Sequence, residues 1–344
     1  MNEPLPEHIA EAMRRAEYIG SSDIAAILGI SKWATPLAVY YAKVEPERTP
    51  APSAQKLKIF RRGKLMEPVI IEMSAQDYEL TVVARNRRYR HPEFDFLRAE
   101  VDFEHEDPRD PEHIANGECK SVNGFAAKGW GNGDEEEDDG DSWDDRGDLS
   151  GDNLPIEYAA QTMYSLAITG RQRCYVYALF GADQLQRYVV ERDDELCESM
   201  IRRAVKFWQE HVLARIPPDP VTLEDAGILA DRLRVFPVTA DETDLMNLRL
   251  LNEAQSAHKA AKEAIDELKT TLALSILKKI KTEDPYDGPP RVAMLSPSGS
   301  DLLTWNKQSR SGIDGKRLTK ERPDIARQYQ KVSEFRVFRT NSKG

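Results

Sequence analysis

Apolar residues recur at helical spacing from about residue 5 to 17, up to the basic pair Arg14-Arg15, and again over Ile24-Ala25-Ala26-Ile27-Leu28. The second run predicts a short helix, with Ser21, Ser22 and Asp23 supplying N-cap chemistry and Gly29 closing it. Pro36 opens a helix to about Val44 and a proline-rich linker covers Glu45 to Ser53. A longer helix is expected over roughly Leu57 to Tyr78. Strand character then takes over at Leu80–Tyr89, Phe94–Phe103 and Ile114–Val122, with the acidic, proline-bounded Glu104–Glu112 expected as a turn. Ile156–Thr169 reads as a helix entered at Pro155 and stopped by Gly170. Arg173–Phe180 and Gln184–Glu191 flank Gly181-Ala182-Asp183 as a β-hairpin. Asp193 caps a helix through about Leu213, with Phe207-Trp208 assigned to the core.

Pro217-Pro218-Asp219-Pro220 marks a boundary, and the composition changes beyond it. Thr239–Lys281 is one long helical pattern with Leu245, Leu248 and Leu251 near heptad spacing. Its stripe is too Ala-rich and interrupted for a coiled coil, so packing on the main domain or another subunit is expected. Strand candidates Arg291–Ser296 and Leu302–Trp305 flank Ser298-Gly299-Ser300; a short helix after Pro323 and a β run, Glu334–Arg339, follow. The pattern implies an α+β fold, a central mixed sheet between helices over 1–216, with a helical and β extension over 221–344.

At 344 residues the chain can bury a substantial core. No apolar run reaches the ~18 residues that span a bilayer, so no membrane partner is expected. Met1-Asn2-Glu3-Pro4 has no basic region leading into an apolar one, so export is not expected. Cys119, Cys174 and Cys197 are scattered singly, which suits a reducing cytosol and supplies no four-thiolate cluster. The net charge of −11 is concentrated in one place: Gly133–Asp152 holds 11 acidic residues against Arg146 alone. The rest of the chain is near neutral, and 304–344 carries 11 basic residues against four acidic ones. The non-periodic, Gly-rich stretch 131–153 is expected to be a disordered acidic insertion.

The chemistry concentrates at Ile114–Val122. In a strand, Glu118 and Lys120 project to one face and Cys119 turns into the packing. Asp102, from the preceding strand, can bring a second carboxylate alongside. Two carboxylates and a lysine suit a hard divalent cation and the water it activates. Glu67 can reach such an ion from its helix, though alone it reads as a solvated residue. Gln161 and Tyr164 share a face of the 156–169 helix. Arg85, Arg87, Arg88 and Arg90 read as a solvated strand edge or, beside a metal site, as a phosphate track. The start of the Ser21–Asp23 helix is either an ordinary cap or a phosphate site.

Four segments, in order and spacing over about 14–216, resemble the YqaJ-type viral recombinase family. These are phage nucleases similar to lambda exonuclease, within the PD-(D/E)XK nuclease superfamily. The segments are Gly20–Ser31; Arg62-Gly63-Lys64-Leu65-Met66-Glu67-Pro68; Asp102 with Gly117-Glu118-Cys119-Lys120-Ser121; and Tyr158-Ala159-Ala160-Gln161 with Met163. Thr304-Trp305, Asp314-Gly315-Lys316 and Arg322-Pro323 also resemble C-terminal extensions of some phage members.

The resemblance implies a restriction-endonuclease-like α/β/α fold and a Mg²⁺ site, with Mn²⁺ as a substitute. Asp102, Glu118 and the backbone carbonyl of Cys119 would be ligands, Lys120 would orient or help deprotonate the attacking water, and Glu67 and Gln161 would support the site. Arg15 and Ser22 would hold a terminal phosphate, with Arg62 and Arg88 as further DNA contacts. The implied activity is a DNA exonuclease of the alkaline type, acting 5′ to 3′ on duplex ends and leaving single strand for a phage-type annealing protein. A homo-oligomer, a ring among its forms, and a bacterial cytoplasm as the site of a phage or prophage product also follow. The competing expectations are a structure-specific or restriction-type endonuclease with the same metal site, and a non-catalytic DNA-binding or interaction protein. The acidic insertion departs from the family pattern: it is a gate, a docking tail or a merely solvated loop.

Overall fold

The computed structural model describes residues 5–123, 129–131, 148–232, 238–279, 293–298, 301–304 and 315–328. The chain divides into two compact units, Met1–Arg234 and Val235–Gly344. In the first, α1 (Glu7–Ala16), α2 (Ser21–Ile27), α3 (Pro36–Val44) and α4 (Ala54–Asp77) precede β1 (Val82–Arg90), β2 (Arg98–Asp107) and β3 (Asp110–Val122). The short β4 (Leu149–Ser150), α5 (Ile156–Thr169), β5 (Arg173–Phe180), β6 (Gln184–Glu191), α6 (Asp194–Phe207) and α7 (Leu223–Ala230) follow.

The sheet order is β1-β2-β3-β5-β6-β4. β3 runs parallel to β5, pairing Glu118 with Val176 and Lys120 with Ala178, while β1–β2, β2–β3 and β5–β6 are antiparallel. A parallel pair needs a crossover, and α5 supplies it. β5 is buried along most of its length, and its alternation sorts two cores. Cys174, Val176 and Ala178 join α2, α3, α5 and α6 on one face, and Tyr175, Tyr177 and Leu179 meet Ile70 and Ile71 of α4 on the other. The expected α+β class and helix–sheet–helix layering are what the structure shows.

Several expectations change in detail. Glu104–Asp107 and Asp110–Glu112 are strand, so only Pro108-Arg109 turns the chain. Asp102 therefore lies inside β2 rather than at its end. The acidic His105-Glu106-Asp107 tolerates a strand because, beside its ladder with β3, side chains of β5 reach across to it. The Tyr175 hydroxyl donates to Asp107 at 2.7 Å, Arg173 pairs with Asp107 at 2.5 Å, and Tyr177 meets His105 at 3.2 Å. At the other edge, 148–153 is ordered as β4 and a 3₁₀ turn, β4 pairing with β6; the remaining acidic stretch, 132–147, lies outside the described residues. Gly20, not a serine, is the N-cap of α2, and its N–H donates to the Asp23 carboxylate at 3.0 Å. Gly29 closes that helix at φ +76°, a left-handed value that favours glycine. The helix begun at α6 widens to a π-helical turn over Trp208–Leu213, where Trp208 stacks on Phe96 at 5.0 Å.

The first unit continues through the proline cluster, because α7 packs on α3. Asp225 accepts from Thr35 and caps its own helix with Thr222. The second unit holds α8 (Glu242–Lys279), the hairpin β7 (Ala293–Leu295) and β8 (Asp301–Thr304), α9 (Gly315–Glu321) and α10 (Pro323–Gln328). α8 is a single 38-residue helix in which Ile276 alone is buried. The expected β run at 334–339 lies outside the described residues. No described helix is long and apolar enough to cross a membrane.

Candidate active site

The site forms where the sheet splits. The β2–β3 ladder ends at Phe103 opposite Gly117, while β3 continues to Val122 with β5 alone. Beyond the split the Cys119 N–H has lost its strand partner, and the Asp102 carboxylate accepts it at 2.8 Å. A strand residue projects its N–H and C=O from one edge, so the Cys119 carbonyl faces the same opening. Gly117 makes the split tight: a Cβ there would come within 2.4 Å of the Phe103 ring.

Glu118 and Lys120 point from β3 toward α5. Lys120 Nζ donates to Glu118 Oε1 at 2.6 Å, and Gln161 Nε2 donates to the same oxygen at 2.7 Å. Gln161 Oε1 lies 3.4 Å from the ammonium, and the Tyr158 ring 4.9 Å from it. Cys119 packs with the α4-side core, as the alternation requires.

The site carries surplus negative charge. Burial, and then the Glu118 charge, push the Asp102 carboxyl well above the usual range, against Lys120. Glu67, on α4, is raised by its own burial and by Glu100 and Glu118. Burial works against the Lys120 ammonium, but Glu118 and Asp102 outweigh it and hold the lysine charged. Among the described residues no three His, Cys, Asp or Glu side chains converge to hold an ion unaided. Two carboxylates and a strand carbonyl are a hard, incomplete oxygen set. That suits Mg²⁺, which keeps water and substrate oxygens in its shell.

A cleft of about 490 Å³ opens over Asp102, Glu118 and Gln161, and Arg15, Ser22 and Arg88 stand in its wall with Arg14, Arg90 and Arg98. Arg15 Nη2 donates to Ser22 Oγ at 2.7 Å. Arg88, on the edge strand β1, is ion-paired with Glu100 at 3.3 Å. Arg62 lies apart from this wall and donates to the Gly181 carbonyl on the β5–β6 turn at 3.3 Å.

Residues 12–172 match the family model of the YqaJ-like viral recombinase domain. The match encloses every residue just described except Gly181. The chain is 25% identical over 333 residues to the Bacillus subtilis (strain 168) protein named "Uncharacterized protein YqaJ", covering 95% of this chain and 92% of that one. Among solved structures, it is similar to an alkaline exonuclease, LHK-Exo, from Laribacter hongkongensis. There the identity is 18% and the TM-score 0.42, over 65% of this chain and all of that one. A phage-related exonuclease from Haemophilus somnus 129PT is 14% identical, with a TM-score of 0.34, over 58% of this chain and 96% of that one.

Within residues 12–172, a buried ion pair between Asp23 and Lys43, a residue that no sequence pattern singles out, holds the cleft wall together. Lys43 of α3 is buried and donates to Asp23 at 2.8 Å and to the Arg15 carbonyl at 2.8 Å. Asp23 also accepts from Gly20 and lies 3.4 Å from Arg15. Burial alone would raise the Asp23 carboxyl, but Lys43 and Arg15 bring it below its usual value. Burial draws the Lys43 ammonium down. With two cations on one carboxylate, the ionised pair is the arrangement the geometry carries. A basic residue at i+20 in another helix gives no local sign of this contact.

Proposed function

We propose that the protein is a Mg²⁺-dependent deoxyribonuclease that degrades duplex DNA from its ends, 5′ to 3′. The observation that carries this reading is the sharing of one cleft: Asp102, Glu118 and Gln161 form its floor and Arg15, Ser22 and Arg88 its wall. The match to a viral recombinase domain supports it. Asp102, Glu118 and the Cys119 carbonyl would hold the ion, which when bound neutralises phosphate charge and lowers the pKa of its water.

The chain's own groups then have distinct tasks. Lys120 places a positive charge beside Glu118, where charge builds on the phosphate in the transition state. Gln161 fixes the Glu118 carboxylate by hydrogen bond and keeps the lysine and glutamate in register. Arg15 and Ser22 bind the terminal 5′-phosphate, which sets the distance from the DNA end to the bond cut. Arg88 exchanges Glu100 for a phosphate oxygen further along the strand. Single strand left behind is the substrate an annealing partner requires.

An end-labelled linear duplex bearing either a 5′-phosphate or a 5′-hydroxyl, beside a covalently closed duplex, tests this reading. Linear DNA is expected to be degraded with Mg²⁺ and not with EDTA, the phosphorylated end faster, and the closed circle spared. Glu118→Ala and Lys120→Ala are expected to abolish cutting while leaving the circular dichroism spectrum unchanged. Wild-type protein that behaves like both variants would end the catalytic reading, and a cleaved closed circle would turn it to an endonuclease.

A further inference from the structure

On the Lys120 side of the floor, the chain presents an aromatic ladder that the reading above does not use. Trp33, in the turn between α2 and α3, is 68% exposed, although tryptophan is ordinarily well buried. Its ring lies 5.7 Å from Tyr158, and Tyr158 lies 5.3 Å from Trp130. Trp130 is buried and braced against Phe180 and Tyr188. The middle ring is the one beneath the Lys120 ammonium. Trp33 is thus the outer member of a row of mutually tilted rings, at 40° to Tyr158, whose second ring lies 4.9 Å from the candidate catalytic lysine.

The exposed ring is held in place. Ser31 Oγ accepts from the Trp33 N–H at 3.1 Å and from the Ala34 N–H at 3.3 Å. Lys32 lies 3.3 Å from the buried Glu157 carboxylate, whose oxygens accept no hydrogen bond among the described residues. A buried carboxylate without hydrogen bonds is costly unless a cation meets it, so Lys32 ties the turn to the first turn of α5. The fold spends an ion pair on keeping an apolar ring in water.

The position says what the ring is for. The cleft holding Arg15 and Ser22 includes Gln161 in its floor but is lined by neither Tyr158 nor Trp33; Tyr158 lies one turn further toward the start of α5. We propose that Trp33, backed by Tyr158, is a stacking platform for an unpaired nucleobase. The base belongs to the first nucleotide beyond the scissile phosphate, on the side away from the terminal-phosphate cleft. Every base presents a π-face, so such a platform holds single strand without reading sequence. This inference rests on the nuclease reading and assigns to that site a contact with bases in addition to phosphates.

The test uses the whole chain and a 5′-phosphorylated single-stranded oligonucleotide of mixed sequence, bound in EDTA and followed by fluorescence anisotropy. Trp33→Ala is expected to weaken binding by about 5- to 150-fold, the range for one stacked base, and Trp33→Phe to recover most of it. Oligonucleotides abasic at each of the first four positions locate the partner. The second position is expected to cost affinity in the wild type and nothing further in Trp33→Ala. A Trp33→Ala protein that binds as tightly as the wild type overturns the inference and leaves the ring to a protein partner. An abasic penalty of equal size in both proteins also overturns it. Mg²⁺-dependent cutting by the wild type is measured in parallel. Cutting with no effect at Trp33 sinks the platform alone, whereas a wild type that neither binds nor cuts sinks the nuclease reading with it.

Discussion

Replacing Lys43 by methionine removes one partner of the buried ion pair beneath the cleft wall. The Asp23 carboxylate is then left with the Gly20 N–H at 3.0 Å and with Arg15 at 3.4 Å, a residue exposed enough to be screened by water. Breaking a buried pair on one side costs about 3–5 kcal/mol, because the other charge stays buried. The retained Gly20 and Arg15 contacts place the expected loss for Lys43→Met near the lower figure, about 3 kcal/mol. Asp23→Asn with Lys43→Met removes both charges while an amide oxygen can still accept from Gly20. The double variant is therefore expected to be more stable than Lys43→Met alone, by about 1–2 kcal/mol, and the pair strongly non-additive. Urea unfolding of wild type, both single variants and the double variant measures this, with m-values compared to confirm the same transition. Additive losses, or a Lys43→Met cost below about 1 kcal/mol, would show that the pair is solvated and refute the reasoning.

Other consequences are as direct. Asp23 has its folded pKa depressed by Lys43 and Arg15, so its contribution is present above the unfolded value and is lost as pH falls through the folded one. Acid unfolding of Asp23→Asn is accordingly expected to be less steep below pH ~4 than that of the wild type. Gly117→Ala forces the Phe103 ring aside and is expected to cost about 1–3 kcal/mol in thermal or urea unfolding, with weakened activity because Asp102 adjoins that ring. Arg88→Ala is expected to lower the salt dependence of DNA binding by about one unit of slope, uniformly across sequences. Deleting 132–147 removes the acidic stretch while keeping β4. As a gate, that stretch predicts tighter DNA binding after deletion, and an unchanged affinity and salt slope would dismiss the gate.

Much of this could be read before any coordinates, where local rules and tertiary packing agree. Arg173–Phe180 and Gln184–Glu191 match their strands residue for residue, because β-branched and aromatic residues flank a glycine turn. The i, i+2 spacing places Glu118 and Lys120 on one face because the pleat admits no other arrangement. The failures have a shared cause. His105-Glu106-Asp107 looked like a turn, and its pairing with β3 together with side chains of β5 make it a strand. Lys43, near the end of α3, carries no local sign that α2 and the Arg15 carbonyl close over it. Trp33 was passed over because nothing in its neighbourhood says that the ring beside it comes from residue 158. In each case the deciding side chain lies between 20 and 125 residues away in the chain.

The Gly131 N–H donates to the Asn153 carbonyl at 2.8 Å, so the two ends of the acidic stretch are clasped together. Once the ends of a segment are joined, its length is nearly free: doubling it costs only about 0.6 kcal/mol in closure entropy. The clasp therefore works as a socket. A lineage can lengthen, shorten or recharge what lies between 132 and 147 without renegotiating the strand that carries Glu118 or the helix that carries Gln161. The same independence makes the stretch a natural point for grafting an affinity tag or a fluorescent reporter a short distance from the cleft.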